Sequence, residues 1–313
     1  MNISARMTSN RVGRALGPAT GKPIIEESIM KRIVTGLTFA CLMAASAAQG
    51  ANPIPDEYKI NGFAIGCQAY TFNRFSAFEA VEKTAQAGGK VIEFYPGQKF
   101  SKEEPNLKWD HDATDEMIAK MQAKLKQHGL KAVNYGVVGI DKDEAKARKV
   151  FEFAKKMGLR AITTESVDAI NTIEKLVKEY DIMVGFHNHG GSLSRPEYKV
   201  WDPLFIAGVI TGRDARIGAA ADTGHWCTSK LTPVEGLRAL KGRIISAHLK
   251  DKKEPGQSHD VPYGEGVADI KACLDELKAQ GFDGNLSIEY EYNWDNNVPE
   301  CTKCVDFVKA YGK

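Results

Sequence analysis

Short apolar runs alternate along this chain with longer amphipathic stretches, and each run ends in polar or charged residues. Val184–Gly191, Val-Gly-Phe-His-Asn-His-Gly-Gly, shows the pattern most clearly: an apolar run breaks into two histidines, an asparagine and two glycines. Such a run reads as a parallel strand buried on both faces whose C-terminal end opens onto a polar pocket. The same pattern predicts strands over Ala64–Tyr70, Lys90–Tyr95, Lys131–Val138 and Arg160–Glu165 before it. After it come Ile217–His225, Ile244–Asp251 and Leu286–Glu291. Helices are predicted over Ser76–Ala87, stopped by Gly88-Gly89, and from a cap at Asp112 or Thr114 to His128-Gly129. Further helices fall at Lys142–Met157, Thr172–Tyr180, Pro203–Ile210, from Thr232-Pro233, at Ile270–Gln280 and at Thr302–Tyr311. Thr232-Pro233 pairs a capping residue with proline at the first helical position. Strand followed by helix, repeated eight times, predicts an α/β fold, a single-domain (β/α)8 TIM barrel. A doubly wound sheet is the competing architecture; it calls for a glycine-rich phosphate loop after an early strand, and neither of the first two strands has one.

The pattern changes before Phe63. Met30-Lys31-Arg32 precedes a mostly apolar run, Ile33–Ala45, and then small residues through Ala51. This order is that of a secretory signal, with Ser46 and Ala48 at the recognition positions for cleavage after Ala48. The run is too short to predict a membrane span. Residues 1–29 then read as an over-long start, 30–48 as the signal peptide, 49–62 as an extended linker and 63–313 as the barrel. The expectation is a periplasmic or secreted protein. The cysteines beyond the cleavage point are odd in number, so no disulfide framework is implied, and Cys301-Thr-Lys-Cys304 reads as a helix turn or one local disulfide. With a net charge of +2 and interspersed basic and acidic residues, no stripe suits nucleic acid or anionic lipid, which leaves a small molecule as the partner.

The chemistry concentrates at the strand ends. His187, Asp222, His248 and Glu289 close strands five to eight, which are neighbours around a barrel rim. Two imidazoles and two carboxylates form a mixed nitrogen and oxygen set for one divalent cation, Mn²⁺, Zn²⁺, Co²⁺ or Fe²⁺. Glu291 has the same strand parity as Glu289 and is the alternative ligand. Metal-bound imidazole is a poor base, so Glu289, Glu165 on strand four and His189 are the candidate proton carriers. Lys250 is placed either to polarise a carbonyl oxygen or to pair with Asp251. Tyr70, Phe72, Trp226 and Tyr292 are candidates to stack on a sugar ring.

Phe-His-Asn-His at strand five, Ala-Asp-Thr-Gly-His-Trp at strand six, Ala-His-Leu-Lys-Asp at strand seven, Val-Pro-Tyr-Gly-Glu-Gly in the next loop and Ser-Ile-Glu-Tyr-Glu at strand eight together resemble the xylose-isomerase-like TIM-barrel family. That family includes sugar isomerases and epimerases related to tagatose 3-epimerase, inosose dehydratases and endonuclease IV. The resemblance implies a carbohydrate substrate, a divalent metal, and His225 as a contact to a substrate hydroxyl. Epimerase members carry a glutamate at the strand-five ligand position, where this chain has His187. The leading expectation is an exported metal-dependent sugar isomerase or epimerase acting by enolisation. A keto-glycoside lyase or dehydratase on the same scaffold is the alternative, and a non-catalytic sugar-binding barrel the third reading.

Overall fold

The computed structural model describes residues 52–191 and 195–313. The expected signal at 30–48 and the over-long start at 1–29 lie outside the described residues. Eight parallel strands close into a barrel in chain order: β1 (Ala64–Gln68), β2 (Val91–Phe94), β3 (Lys131–Tyr135), β4 (Ala161–Thr164), β5 (Met183–His187), β6 (Ile217–Asp222), β7 (Ile244–Leu249) and β8 (Asn285–Ile288). Closure comes from β8 pairing with β1, Ala64 opposite Asn285 and Cys67 opposite Ile288. The outer helices are α1 (Ala77–Gln86), α2 (Asp115–Gln127), α3 (Glu144–Lys156), α4 (Ile170–Tyr180), α5 (Pro203–Ile210), α6 (Pro233–Ala239), α7 (Ile270–Ala279) and α8 (Val298–Ala310).

Local chemistry explains the helix starts. Ser76 and Glu79 form a reciprocal capping box on α1, and Thr114 rather than Asp112 caps α2. α8 begins at Val298, earlier than the predicted Thr302, because Pro299 is tolerated in a first helical turn. Two of the loops after the strands each contain a short antiparallel pair, Gln98–Lys99 with Lys108–Trp109 and Asp251–Lys252 with Asp260–Val261.

Alternate residues of each strand separate two environments. Ile65, Ile92, Phe94, Val184, Phe186, Leu286 and Ile288 join the large apolar cluster shared with the helices. Inside the barrel the close approach of strands excludes side chains in places: a Cβ at Gly66 would lie 1.6 Å from the Val91 carbonyl oxygen. The segment expected as an extended linker is partly folded. Its described part has a 3₁₀ turn at Asp56–Tyr58, and Ile54 packs with Ala64, Val91 and Val133 as a stopper in the barrel floor, with Tyr58 against it. Above this floor the interior turns polar, with Glu93, Asn134, Thr163, Ser246, Asn285 and Ser287 all buried. No helix among the described residues is long and apolar enough to cross a membrane.

Candidate metal centre and active site

The strand ends bring four side chains to one point. One ligand atom each from His187, Asp222, His248 and Glu289 lies within 4.8 Å of the others, and all four residues are buried. Glu289, not Glu291, delivers its carboxylate to this cluster. The backbone at β5 and β6 is locked by a reciprocal pair: Asn188 Nδ2 donates to the Asp222 carbonyl (3.0 Å) and the Asp222 N–H donates to Asn188 Oδ1 (2.9 Å). Asp222 Oδ1 accepts the His225 N–H at 2.8 Å, capping the helical turn Thr223–Thr228. That leaves Oδ2 pointing inward without a well-aligned hydrogen bond, in ion-pair range of the Lys250 ammonium at 3.3 Å.

Each histidine is held by a carboxylate on its far side. His187 Nδ1 lies 3.2 Å from Glu165 Oε1, so its Nε2 faces Asp222 Oδ2 at 3.5 Å, and Nε2 is buried without a hydrogen bond. His248 Nε2 lies 3.1 Å from Glu93 Oε2, which turns Nδ1 toward Glu289 Oε2 at 3.1 Å. A carboxylate behind an imidazole fixes the tautomer and leaves the opposite lone pair for a cation. Burial opposes protonation of His187 and His248, but facing carboxylates outweigh it and push both above the ordinary histidine range: Asp222 and Glu165 for His187, Glu93 and Glu289 for His248. Two oriented imidazoles and two inward carboxylate oxygens are a donor set suited to a divalent cation.

Lys250 does not pair with Asp251. Its ammonium lies 3.3 Å from Asp222 Oδ2, 2.8 Å from Glu289 Oε2 and 2.8 Å from Glu291 Oε2. Burial alone would lower its pKa; these carboxylates hold it well above the usual value. The stem passes over Gly224, where a Cβ would meet Lys250 Cβ at 2.4 Å. Asp251 instead accepts the N–H groups of Gly264 (2.9 Å), Gly266 (3.0 Å) and Ala268 (2.9 Å), fastening the loop after β7.

His225 Nε2 is 3.5 Å from Lys250 Nζ and 3.9 Å from Asp222 Oδ2. Burial, with the Lys250 charge assisting, pushes it down to about 3, so it is a neutral imidazole in this site. Glu165 Oε1 accepts from His187, from His189 Nδ1 and from the Tyr198 hydroxyl (3.0 Å). Burial raises its pKa, and the histidine hydrogen bonds overcome that to hold the carboxyl far below the usual range. Glu165, a candidate proton carrier by its place at the end of β4, thus lies against both the His187 and His189 rings. Its partner His189 is half exposed at the mouth, beside the His225 ring at 4.8 Å between centroids.

Two expected sugar-stacking residues are in the core. Trp226 is buried, packs on Gly236 and donates its Nε1–H to the Trp201 carbonyl at 3.2 Å; Phe72 is fully buried as well. Tyr70 and Tyr292 remain exposed at the mouth. Glu93, Asn188 and Tyr198 are site residues that sequence reasoning missed. Glu93 had one signal, a carboxylate in phase with Val91 on the barrel-facing side of β2. The cysteines Cys67, Cys227, Cys273, Cys301 and Cys304 are buried and free, so Cys301 and Cys304 form a plain helix turn.

The sequence profile described as xylose isomerase-like TIM barrel matches residues 81–307. The chain belongs to this family. An uncharacterized protein from Parabacteroides distasonis ATCC 8503 shares the barrel at TM-score 0.64 with 29% identity, covering 79% of this chain and 98% of that one. An L-ribulose 3-epimerase aligns at TM-score 0.56 with 17% identity over 78% of this chain and 92% of that one, a likeness of fold. L-ribulose-5-phosphate 3-epimerase UlaE of Salmonella paratyphi A is 41% identical over 75 residues, 24% of this chain and 26% of that enzyme. The match thus spans about a quarter of that relative's length.

Proposed function

We propose that this member of the xylose isomerase-like family is an exported, metal-dependent enzyme that moves a carbon-bound proton beside the carbonyl of a sugar, as an isomerase or epimerase. The observation that carries the reading is the convergence of four buried ligand atoms, one each from His187, Asp222, His248 and Glu289, within 4.8 Å of one another, with His187 Nε2 lacking any hydrogen bond. His187, Asp222, His248 and Glu289 would hold the cation, whose contribution when bound is to draw charge from vicinal substrate oxygens and acidify the adjacent C–H. The chain's own groups supply the rest. Glu165 and Glu93 fix the two imidazoles, and neutral His225 and cationic Lys250 offer hydrogen bonds to sugar oxygens. His189, tethered by Glu165 and half exposed, stands at the end of β5 to move a proton, with Glu289 on β8 for the other direction. Family resemblance to sugar epimerases and the exported-type N-terminus support a carbohydrate substrate and a location outside the cytoplasm.

A second reading has its own support. The strand-five position that carries a glutamate in the epimerases is His187 here, and Oε1 of its carboxylate partner Glu165 already faces His187, His189 and Tyr198, which disfavours an exchange between two carboxylates. An imidazole at His189 is as well suited to protonating a departing β-oxygen, which makes the enzyme a keto-glycoside lyase. The test is incubation of the Mn²⁺-loaded protein with ketoses, aldoses and 3-keto-glycosides in D₂O. Deuterium at the α-carbon is expected; a new sugar identifies the isomerase or epimerase, and a released aglycone the lyase. Tight sugar binding with no exchange under any metal refutes both and leaves a binding protein.

A further inference from the structure

On the side of the mouth facing away from His187 and His189, the loops after β1, β2 and β8 carry a set of aromatic rings. Tyr70 meets Tyr95 edge-on at 5.1 Å and Trp294 at 6.0 Å, with interplanar angles of 80° and 90°. Next to them Tyr292 and His259 lie 4.5 Å apart and closer to parallel. Tyr70 is 38% and Tyr292 49% exposed, unusual for large rings placed beside a buried polar centre. These loops are not loose. Thr71 Oγ1 donates to the Ile288 carbonyl (3.0 Å) and accepts the Tyr290 N–H (2.9 Å), while Asn297 Nδ2 donates to the Thr71 carbonyl (2.8 Å). The rings are therefore pinned to the strand that carries Glu289.

Charge on this side selects the occupant. The stretch 289–297 contains Glu289, Glu291 and Asp295 and no lysine or arginine. Arg74, on the loop after β1, is taken up by Asp295 at 2.6 Å. Lys250 is taken up by Glu289 and Glu291, each at 2.8 Å, so no cation on this stretch is left to pair with an anionic group such as a phosphate, whereas a neutral ring with an apolar face gains contact area.

We propose that Tyr70, Trp294 and Tyr292 form a second subsite that stacks on a neutral ring joined to the reacting sugar, so that the substrate is a glycoside and neither a free monosaccharide nor a sugar phosphate. The proposal rests on the sugar-processing reading of the metal centre. Covering one face of a pyranose or phenyl ring is worth about tenfold in affinity. The experiment uses the full, Mn²⁺-loaded chain and two readouts. Calorimetric binding compares glucose, cellobiose, phenyl glucoside and glucose 6-phosphate, and α-deuterium exchange compares the corresponding 3-keto monosaccharide and disaccharide. Cellobiose and phenyl glucoside are expected to bind about tenfold tighter than glucose, with glucose 6-phosphate no tighter than glucose. In Trp294→Ala and Tyr70→Ala, that preference should shrink to within about twofold, and Trp294→Phe should restore most of it. Equal affinity for glucose and cellobiose, a preference that survives both alanine variants, or a preference for the phosphate overturns the subsite. Exchange on monosaccharides without glycoside preference removes the subsite and leaves the catalytic reading; glycoside preference without any exchange does the reverse.

Discussion

Replacing Glu93 by glutamine tests whether the polar barrel interior serves the rim. Glu93 Oε2 receives His248 Nε2 at 3.1 Å, Ser287 Oγ at 2.7 Å and Asn285 Nδ2 at 3.3 Å, all buried. The substitution keeps the volume and removes the charge. A hydrogen bond to an ionised acceptor contributes about 1.5–3 kcal/mol and a neutral one about 0.5–1.5, so the imidazole loses about 1–1.5 kcal/mol of support. The amide also sets an N–H₂ among groups that were donating, which lets the ring rotate off its lone-pair direction. Together these match the loss of about 10- to 100-fold in metal affinity, or about 1.4–2.7 kcal/mol, that follows removal of a carboxylate behind a ligating histidine. The assay is Kd for Mn²⁺ and Zn²⁺ by competition with a chromophoric chelator, with Asp222→Ala as the empty-site control. Melting of the metal-free protein separates a weakened site from a disturbed barrel. A Kd within twofold of the parent would refute the claim that Glu93 orients His248 for a cation.

Metal uptake should be pH-dependent: His187 and His248 are held above the ordinary value of 6.5, so protons must leave before the cation enters. Mn²⁺ affinity is expected to rise with pH through and beyond neutrality, and a flat profile from pH 6 to 9 would contradict the ligand set. For Glu165 the folded pKa lies below its unfolded 4.5, so its stabilisation is present above about 4.5 and is lost as pH falls through the lower folded value. Glu165→Gln should therefore melt lower than the parent at pH 7, converge with it in strong acid, and lose about 10²-fold or more in exchange rate through the freed His189; equal melting at pH 7 would count against it. The native protein should begin near Gln49 by mass spectrometry of the host's exported fraction, and an intact chain from Met1 in the cytosol would exclude export.

The barrel was legible because buried parallel strands read as apolar runs, and because polar residues at a strand end interrupt such a run abruptly. The same logic delivered His187, Asp222, His248 and Glu289, each at the last turn-out of its strand. It failed for Glu93, which sits inside the run Val-Ile-Glu-Phe, where a single carboxylate looks like the strand's own terminus until its long-range partners on β7 and β8 are seen. It failed for Trp226 because the helical turn after β6 sends successive side chains about 100° apart around its axis. His225 turns to the centre, and Trp226 turns into the core against Trp201 and Gly236. Of the two roles open to Lys250, the pairing with Asp251 fails for a related reason. Adjacent residues on an extended chain point to opposite sides, so Lys250 reaches Asp222, Glu289 and Glu291 while Asp251 faces the loop.

The three backbone N–H groups gathered by Asp251 have a practical side. Because the loop is clamped at Gly264, Gly266 and Ala268, with the Tyr263 hydroxyl donating to the Leu249 carbonyl at 2.9 Å, its far arm is fixed independently of its tip. The tip, residues 253–259, is tied down at Gly256, whose N–H reaches the Cys227 carbonyl at 3.0 Å, and otherwise faces solvent for much of its length. It is a cassette with its own sockets. Libraries varying 253–258 in length and composition should graft new rim chemistry beside Tyr292 without moving His248 or Glu289, making this turn the natural entry point for redirecting the barrel to other ring systems.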